Sequence, residues 1–221
     1  MRQELWTAVD DYIADLLVRP GATLHATLDE SLNAGLPPHQ VSPAQGKLLH
    51  LLARLRGAQN ILEIGTLGGY STIWLARGLG EGGRVVTLES DAGNAEVART
   101  NIARAGLAEV VEVRVGLALD SLSRLALEGS GPFDLIFIDA DKANNDRYLH
   151  WALELSDTGT LIIADNVVRA GALIDETSTD PSVGGVRRFM KALAAEPRVS
   201  ATALQTVGVK GHDGFVLALV L

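Results

Sequence analysis

Asn60-Ile61-Leu62-Glu63-Ile64-Gly65-Thr66-Leu67-Gly68-Gly69-Tyr70-Ser71-Thr72 is the stretch that decides the fold. An apolar run ends in an acid, passes through a glycine-rich turn and enters helix-forming residues. That order reads as a buried strand turning into a helix whose N-terminus lies against a ligand, because glycines 65, 68 and 69 allow positive φ and close backbone approach, and free amides open the helix. The dinucleotide fingerprint G-x-G-x-x-G would need glycine where Leu67 and Tyr70 stand, which counts against a nicotinamide or flavin. The spacing of Glu63, Gly65 and Gly69 fits E-x-G-x-x-x-G instead.

Downstream, short and fully apolar runs alternate with helical patterns. Strands are expected at 60–64, 84–89, 110–115, 133–138, 159–164, 198–204 and 214–220, with helices near 70–79, 92–105, 118–127, 142–156 and 183–195. Strands without polar alternation belong to a parallel sheet covered on both faces, so the fold class is α/β, a doubly wound, mostly parallel sheet. Only Gln205 to Asp213 join the last two strands, too few for a helical crossover, so these two form an antiparallel hairpin. Before the first strand, helices are expected over 4–18, over 23–34, and from Ser42-Pro43, a cap followed by proline at the first helical position, to Gly57. These extra helices must pack on the sheet, cover the ligand site or meet another subunit. The chain is read as one domain over 1–221, with N-terminal helices in 1–57 and a Rossmann-like core in 58–221.

Composition narrows the function. The 221 residues are 47% hydrophobic, enough for one substantial core. A formal charge of −8 without a basic block argues against nucleic acid or an anionic membrane as partner. With no cysteine there is no disulfide, thiolate metal site or cysteine nucleophile. No apolar stretch approaches the ~20 residues that span a bilayer, and the N-terminus does not read as a signal peptide, so a cytoplasmic protein is expected.

Ligands of open α/β sheets gather at the carboxyl ends of the strands, and here nearly every strand ends in a polar group. Glu89 closes the second strand at a distance from the glycine loop that suits hydrogen bonds to both hydroxyls of a ribose. Asp139, Asp165 and Asn166 bring three hard oxygen donors to adjacent strand ends, a set suited to Mg²⁺ with open positions left for substrate or water. Lys142 follows Asp139 by three residues, within reach of a substrate at that metal. No nucleophile motif places His25, His39, His50 or His150, which are read as structural or solvated.

The runs Leu62-Glu63-Ile64-Gly65-Thr66-Leu67-Gly68-Gly69-Tyr70-Ser71, Phe137-Ile138-Asp139-Ala140-Asp141-Lys142 and Ala164-Asp165-Asn166-Val167 resemble the cation-dependent O-methyltransferases, the group containing catechol and caffeoyl-coenzyme A O-methyltransferases. The resemblance covers nearly the whole chain. It implies a class I S-adenosylmethionine-dependent fold, sheet order 3-2-1-4-5-7-6, and a homodimer. By position it implies that Val41, Glu63, Gly65, Thr66, Ser71, Glu89, Ala118 and Asp139 surround S-adenosylmethionine, that Asp139, Asp165 and Asn166 bind Mg²⁺ or another divalent cation, and that Lys142 is the general base. The acceptor implied is a small phenol with vicinal hydroxyls. After the Asp-Asn pair this chain reads Val167-Val168-Arg169-Ala170-Gly171, without the aromatic residues of the plant caffeoyl-coenzyme A enzymes. Ala140-Asp141 likewise replace the bulky residues of catechol O-methyltransferase, so the acceptor pocket is expected to differ from both. Its walls are expected in 20–42, 167–182 and 206–213. The alternatives weighed are a nicotinamide-dependent oxidoreductase, a metal-independent methyltransferase and a non-catalytic scaffold on the same fold.

Overall fold

A computed structural model describes residues 2–221. Seven strands form one sheet: β1 (Asn60–Ile64), β2 (Arg84–Glu89), β3 (Val111–Val115), β4 (Phe133–Ile138), β5 (Ser156–Asp165), β6 (Val199–Gly208) and β7 (Gly211–Val220). Their order is β3-β2-β1-β4-β5-β7-β6, as expected, with β7 antiparallel to both neighbours and all other pairs parallel. The order reverses between β1 and β4, whose carboxyl ends are tied where Asp139 N donates to Ile64 O at 2.9 Å, while Gly65 N donates to Leu88 O of β2 at 3.0 Å. A crevice at such a switch point is where an open sheet receives its ligand.

Period-2 alternation distributes the strand residues to two cores. Leu62, Ile64, Val86, Leu88, Ile136 and Ile138 enter one core, with α6 (Ala118–Leu127), α7 (Asn145–Glu154) and α8 (Pro181–Ala195) over it. Ile61, Val85, Leu135 and Phe137 enter the other, beneath α2 (Gly21–Asn33), α3 (Pro43–Arg56), α4 (Tyr70–Ala76) and α5 (Ala92–Arg104). The predicted cap of α3 is present: Ser42 Oγ accepts from Gln45 N at 3.2 Å, Pro43 follows, and Gly57 closes the helix at φ 64°. No helix among the described residues is long and apolar enough to cross a membrane.

Several boundaries differ from expectation, among them β5, which begins at Ser156 rather than 159, and α4, which ends at Ala76 rather than 79. The span expected to be one helix over 4–18 is α1 (Arg2–Ile13) followed by a π-helical turn, Ala14–Val18, which ends at Arg19 with φ 45°. The helix expected at 142–156 opens as a 3-10 turn over Lys142–Asn144 before α7. Most consequential, the last two strands run on through the expected loop to a turn of Val209 and Lys210, since Thr206 and Val207 are β-branched and pair with Asp213 and His212. The hairpin therefore projects past the sheet, and α1 grips its tip: Val209 N donates to Asp10 Oδ2 at 2.7 Å, and Gln3 Nε2 donates to Gly208 O at 3.0 Å.

Candidate active site

Alternation along β1 turns Glu63 toward α4, where it is fully buried. Ser71 Oγ donates to its Oε1 at 2.6 Å, and Thr87 Oγ1 donates to its Oε2 at 2.7 Å; Thr72 Oγ1 bonds Oε2 as well. Thr66 Oγ1 lies 2.6 Å from Thr87 Oγ1 and extends the chain of hydroxyls. Burial pushes the Glu63 carboxyl up to about 7, against the pull of its three donors. The first strand end is thereby locked to the N-terminus of α4, and two of the predicted cofactor residues, Thr66 and Ser71, belong to this lock.

The glycine loop is shaped by what it must pass. Gly65 has φ 102°, and a Cβ there would stand 2.1 Å from the carbonyl oxygen of Asp139. At Gly68 a Cβ would meet Ser31 Oγ of α2 at 2.1 Å, and Asn101 Nδ2 donates to Gly68 O at 2.9 Å. Gly68 thus serves the packing of α2 over the loop, which resolves the question of what that helix covers. The loop is also bound to the second strand end, because Glu89 Oε2 accepts from Leu67 N at 2.8 Å while Oε1 accepts from Asp91 N at 2.9 Å. Gly116 N donates to Glu89 O at 2.9 Å, which brings the start of α6, and with it Ala118, to the same end.

At the ends of β4 and β5, Lys142 Nζ donates to Asp139 Oδ1 at 2.7 Å, with Lys142 only 6% exposed. Asp165 is buried beside them, and Asn166 follows in the left-handed region at φ 56°, its backbone N–H donating to Asp165 Oδ1 at 2.8 Å. Burial first, then the charge of Asp139, push the Asp165 carboxyl up to about 7, while Lys142 acts in the opposite direction. No group of three or more His, Asp and Glu side chains able to hold a metal occurs among the described residues. The donor set is two carboxylates and one amide. It fits a hard divalent cation, since two close carboxylates with a single lysine to balance them are short of positive charge.

A cavity of about 240 Å³ opens beside this cluster, lined by Asp165 and Asn166, by Val41, Gln45 and Leu48, and by hairpin residues including Lys210, Asp213 and Phe215. Two of the three expected walls, the stretch before α3 and the hairpin, line it. No residue of 167–182 is among its lining residues. Asp213 instead uses that segment as an anchor, with Oδ1 accepting from Val168 N and Arg169 N at 3.0 Å each. His39, read as structural or solvated, is exposed and borders the cavity.

Sequence reasoning missed several contributors. Thr72 and Thr87 carry no motif of their own, although a period-2 count from Val85 would have put Thr87 on the face of Glu63. Asp10 and Gln45 line the cavity from helices whose relation to the sheet no local pattern encodes.

A doubly wound sheet ordered 3-2-1-4-5-7-6, with a glycine loop at the first strand end and an acid at the second, defines a class I S-adenosylmethionine-dependent methyltransferase. The comparisons then narrow the class. A family model described as O-methyltransferase matches residues 22–220. A catechol O-methyltransferase of Niastella koreensis is 54% identical over 220 residues, with 100% of both chains covered. One of Mycobacterium tuberculosis is 53% identical, covering 96% of this chain and 94% of the relative. Among solved structures, the O-methyltransferase from Bacillus cereus in complex with S-adenosylhomocysteine superposes with a TM-score of 0.98 at 62% identity, covering 99% of this chain and 100% of that one. An O-methyltransferase from Streptomyces achromogenes, involved in tomaymycin synthesis and solved with S-adenosylmethionine, gives 0.96 at 51% identity, covering 100% and 99%. The chain belongs to the O-methyltransferase family, and it is an enzyme that takes its methyl group from S-adenosylmethionine. The nicotinamide and scaffold alternatives are set aside.

Proposed function

We propose that this enzyme methylates one hydroxyl of a small aromatic acceptor carrying vicinal hydroxyls, with a divalent cation held by Asp139, Asp165 and Asn166 and with Lys142 as general base. The observation that carries the reading is the ion pair of Lys142 with Asp139 beside the buried Asp165, which with Asn166 lines the cavity. The names of the two relatives at 53 and 54% identity point the same way. When bound, S-adenosylmethionine supplies an electrophilic methyl on a sulfonium, and the cation supplies Lewis acidity and a template for two oxygens.

The chain's own residues do the rest. Glu63, the hydroxyls around it and Glu89 hold the glycine loop in a fixed shape, so that the methyl donor and the acceptor meet oriented, an effect able to supply roughly 7–11 kcal/mol. Lys142 Nζ takes the hydroxyl proton, and the acceptor oxygen then bonds to the methyl carbon as the carbon–sulfur bond breaks. Asp141 is a poor rival for that proton. Its carboxylate accepts from Asn144 Nδ2 at 2.6 Å and from the Tyr148 hydroxyl. Leu5, Val9, Tyr12, Leu16 and Leu17 stand exposed on α1 and its π-turn, an apolar face that a homodimer would bury, to be tested by light scattering.

The deciding experiment compares a catechol with the matching monophenol, with Mg²⁺ and in excess EDTA, in wild type and Asp165→Ala. Turnover is expected only for the catechol with the cation, and Asp165→Ala should lose cation binding in a direct titration. Full turnover of the monophenol in EDTA would show a metal-independent methyltransferase.

A further inference from the structure

The charges around the cavity are not equivalent. Asp213 is committed to two backbone amides, Asp10 to the amide of Val209, and Asp165 to the proposed cation site. Lys210 is the one lysine or arginine among the lining residues, and no carboxylate forms an ion pair with it among the described residues. Its side chain is exposed overall, and Nζ donates to the carbonyl oxygen of Pro38. Loss of solvent there lowers the pKa of the amine, and the charges of Asp139 and Asp165 pull it back up, so the ammonium stands within electrostatic reach of the proposed cation site. Its position is also prepared in advance. Lys210 sits in the hairpin turn that Asp10 and Gln3 grip from α1.

A cation held at the edge of a cavity by a neutral carbonyl gains when a carboxylate replaces that acceptor, because two opposite charges at hydrogen-bond distance attract more strongly than a charge and a carbonyl dipole. The cavity is small compared with the ~300–1,000 Å³ of pockets for drug-sized ligands, which suits an acceptor of one ring. We propose that Lys210 is a specificity-determining residue that favours acceptors bearing a carboxylate on the ring or on a short side chain. The proposal rests on the catechol reading above for the orientation of the acceptor, with its hydroxyls toward Asp165 and its anionic end toward the hairpin.

The test uses 3,4-dihydroxybenzoate and its methyl ester, which differ by one charge. The kcat and KM of each are measured with S-adenosylmethionine and Mg²⁺ for wild type, Lys210→Gln and Lys210→Arg. Binding of the acid to enzyme loaded with S-adenosylhomocysteine and Mg²⁺ is followed by calorimetry. In the wild type the acid should have a KM about tenfold or more below that of the ester. Lys210→Gln should raise the KM of the acid until the two substrates converge, and Lys210→Arg should keep most of the preference. Equal KM values in wild type, or a preference that survives Lys210→Gln, would overturn the proposal. Should neither compound react while calorimetry still shows Lys210-dependent binding of the acid, the anion site stands and the catechol reading fails.

Discussion

Lys142 Nζ lies 2.7 Å from Asp139 Oδ1, three residues away across the turn that leaves β4. The spacing places an amine against a carboxylate that the sequence independently nominates as a metal ligand. On the proposed reading Lys142 handles the proton and Asp139 the charge of the cation. Their substitutions should separate these roles.

Lys142→Ala should lower kcat by ~10²–10⁴ at neutral pH while leaving Mg²⁺ and S-adenosylmethionine affinity nearly intact. Its rate should climb in alkaline solution as hydroxide removes the acceptor proton. Steady-state kinetics across pH, beside calorimetric titrations of cofactor and cation, check this. Wild-type turnover at neutral pH would assign the proton to another acceptor.

Glu89→Ala should weaken S-adenosylmethionine binding by ~1–3 kcal/mol, through loss of charge-assisted bonds to the ribose. The structure adds a second expectation, because Glu89 also holds the amides of Leu67 and Asp91. Glu89→Gln, which keeps an acceptor oxygen for one of those amides, should weaken binding less. Unchanged affinity in Glu89→Ala would displace the cofactor from the second strand end.

Glu63 gives the cofactor-free enzyme a stability that depends on pH. Its folded carboxyl titrates at about 7 against 4.5 for the ordinary group, so between these values the unfolded chain is ionised while the fold still holds the proton. Stability from this group is therefore complete below about pH 4.5 and declines as pH rises to about 7, by on the order of 3 kcal/mol. Glu63→Gln removes the titration, so urea unfolding should show the difference between wild type and variant falling over that window and levelling above it. A flat difference would mean that Glu63 is ionised in the fold throughout.

Gly65→Ala should be among the most damaging single-methyl changes in the chain. The added carbon would stand 2.1 Å from the Asp139 carbonyl oxygen, at a φ of 102° that alanine strains to adopt. A marked loss of melting temperature is expected, together with weaker Mg²⁺ binding as the end of β4 is pushed aside. Thermal unfolding and cation titration of the same preparation test both.

The strands were legible in advance because parallel strands announce themselves as short apolar runs, whereas their order, with its reversal at β1 and β4, came from the family resemblance of the motifs. The carboxyl-end residues were legible as well. Glu63, Glu89, Asp139 and Asp165 stand at strand ends, where local chain direction alone puts them near the crevice. The hydroxyl lock on Glu63 was less visible, since Thr72 and Thr87 come from different elements and only the register of β1 with β2 brings Thr87 alongside.

What the chain determined by itself is therefore local and periodic: which segments are strands, where helices are capped by Ser42-Pro43 and Gly57, and which residues close each strand. Only the tertiary structure decided what those residues touch. Whether Gly68 faces a ligand or Ser31 depends on where α2 settles, and whether 205–213 forms a loop or a continued hairpin depends on cross-strand pairing and on the grip of Asp10. Lys210 shows the difference most clearly. Its sequence neighbours Val209 and Gly211 mark a turn and nothing more, and it reaches the cavity beside Asp165 because the hairpin carries it to Pro38, 172 residues away in sequence. Periodicity records the burial of each segment, whereas contacts between distant segments arise from packing that no single segment encodes.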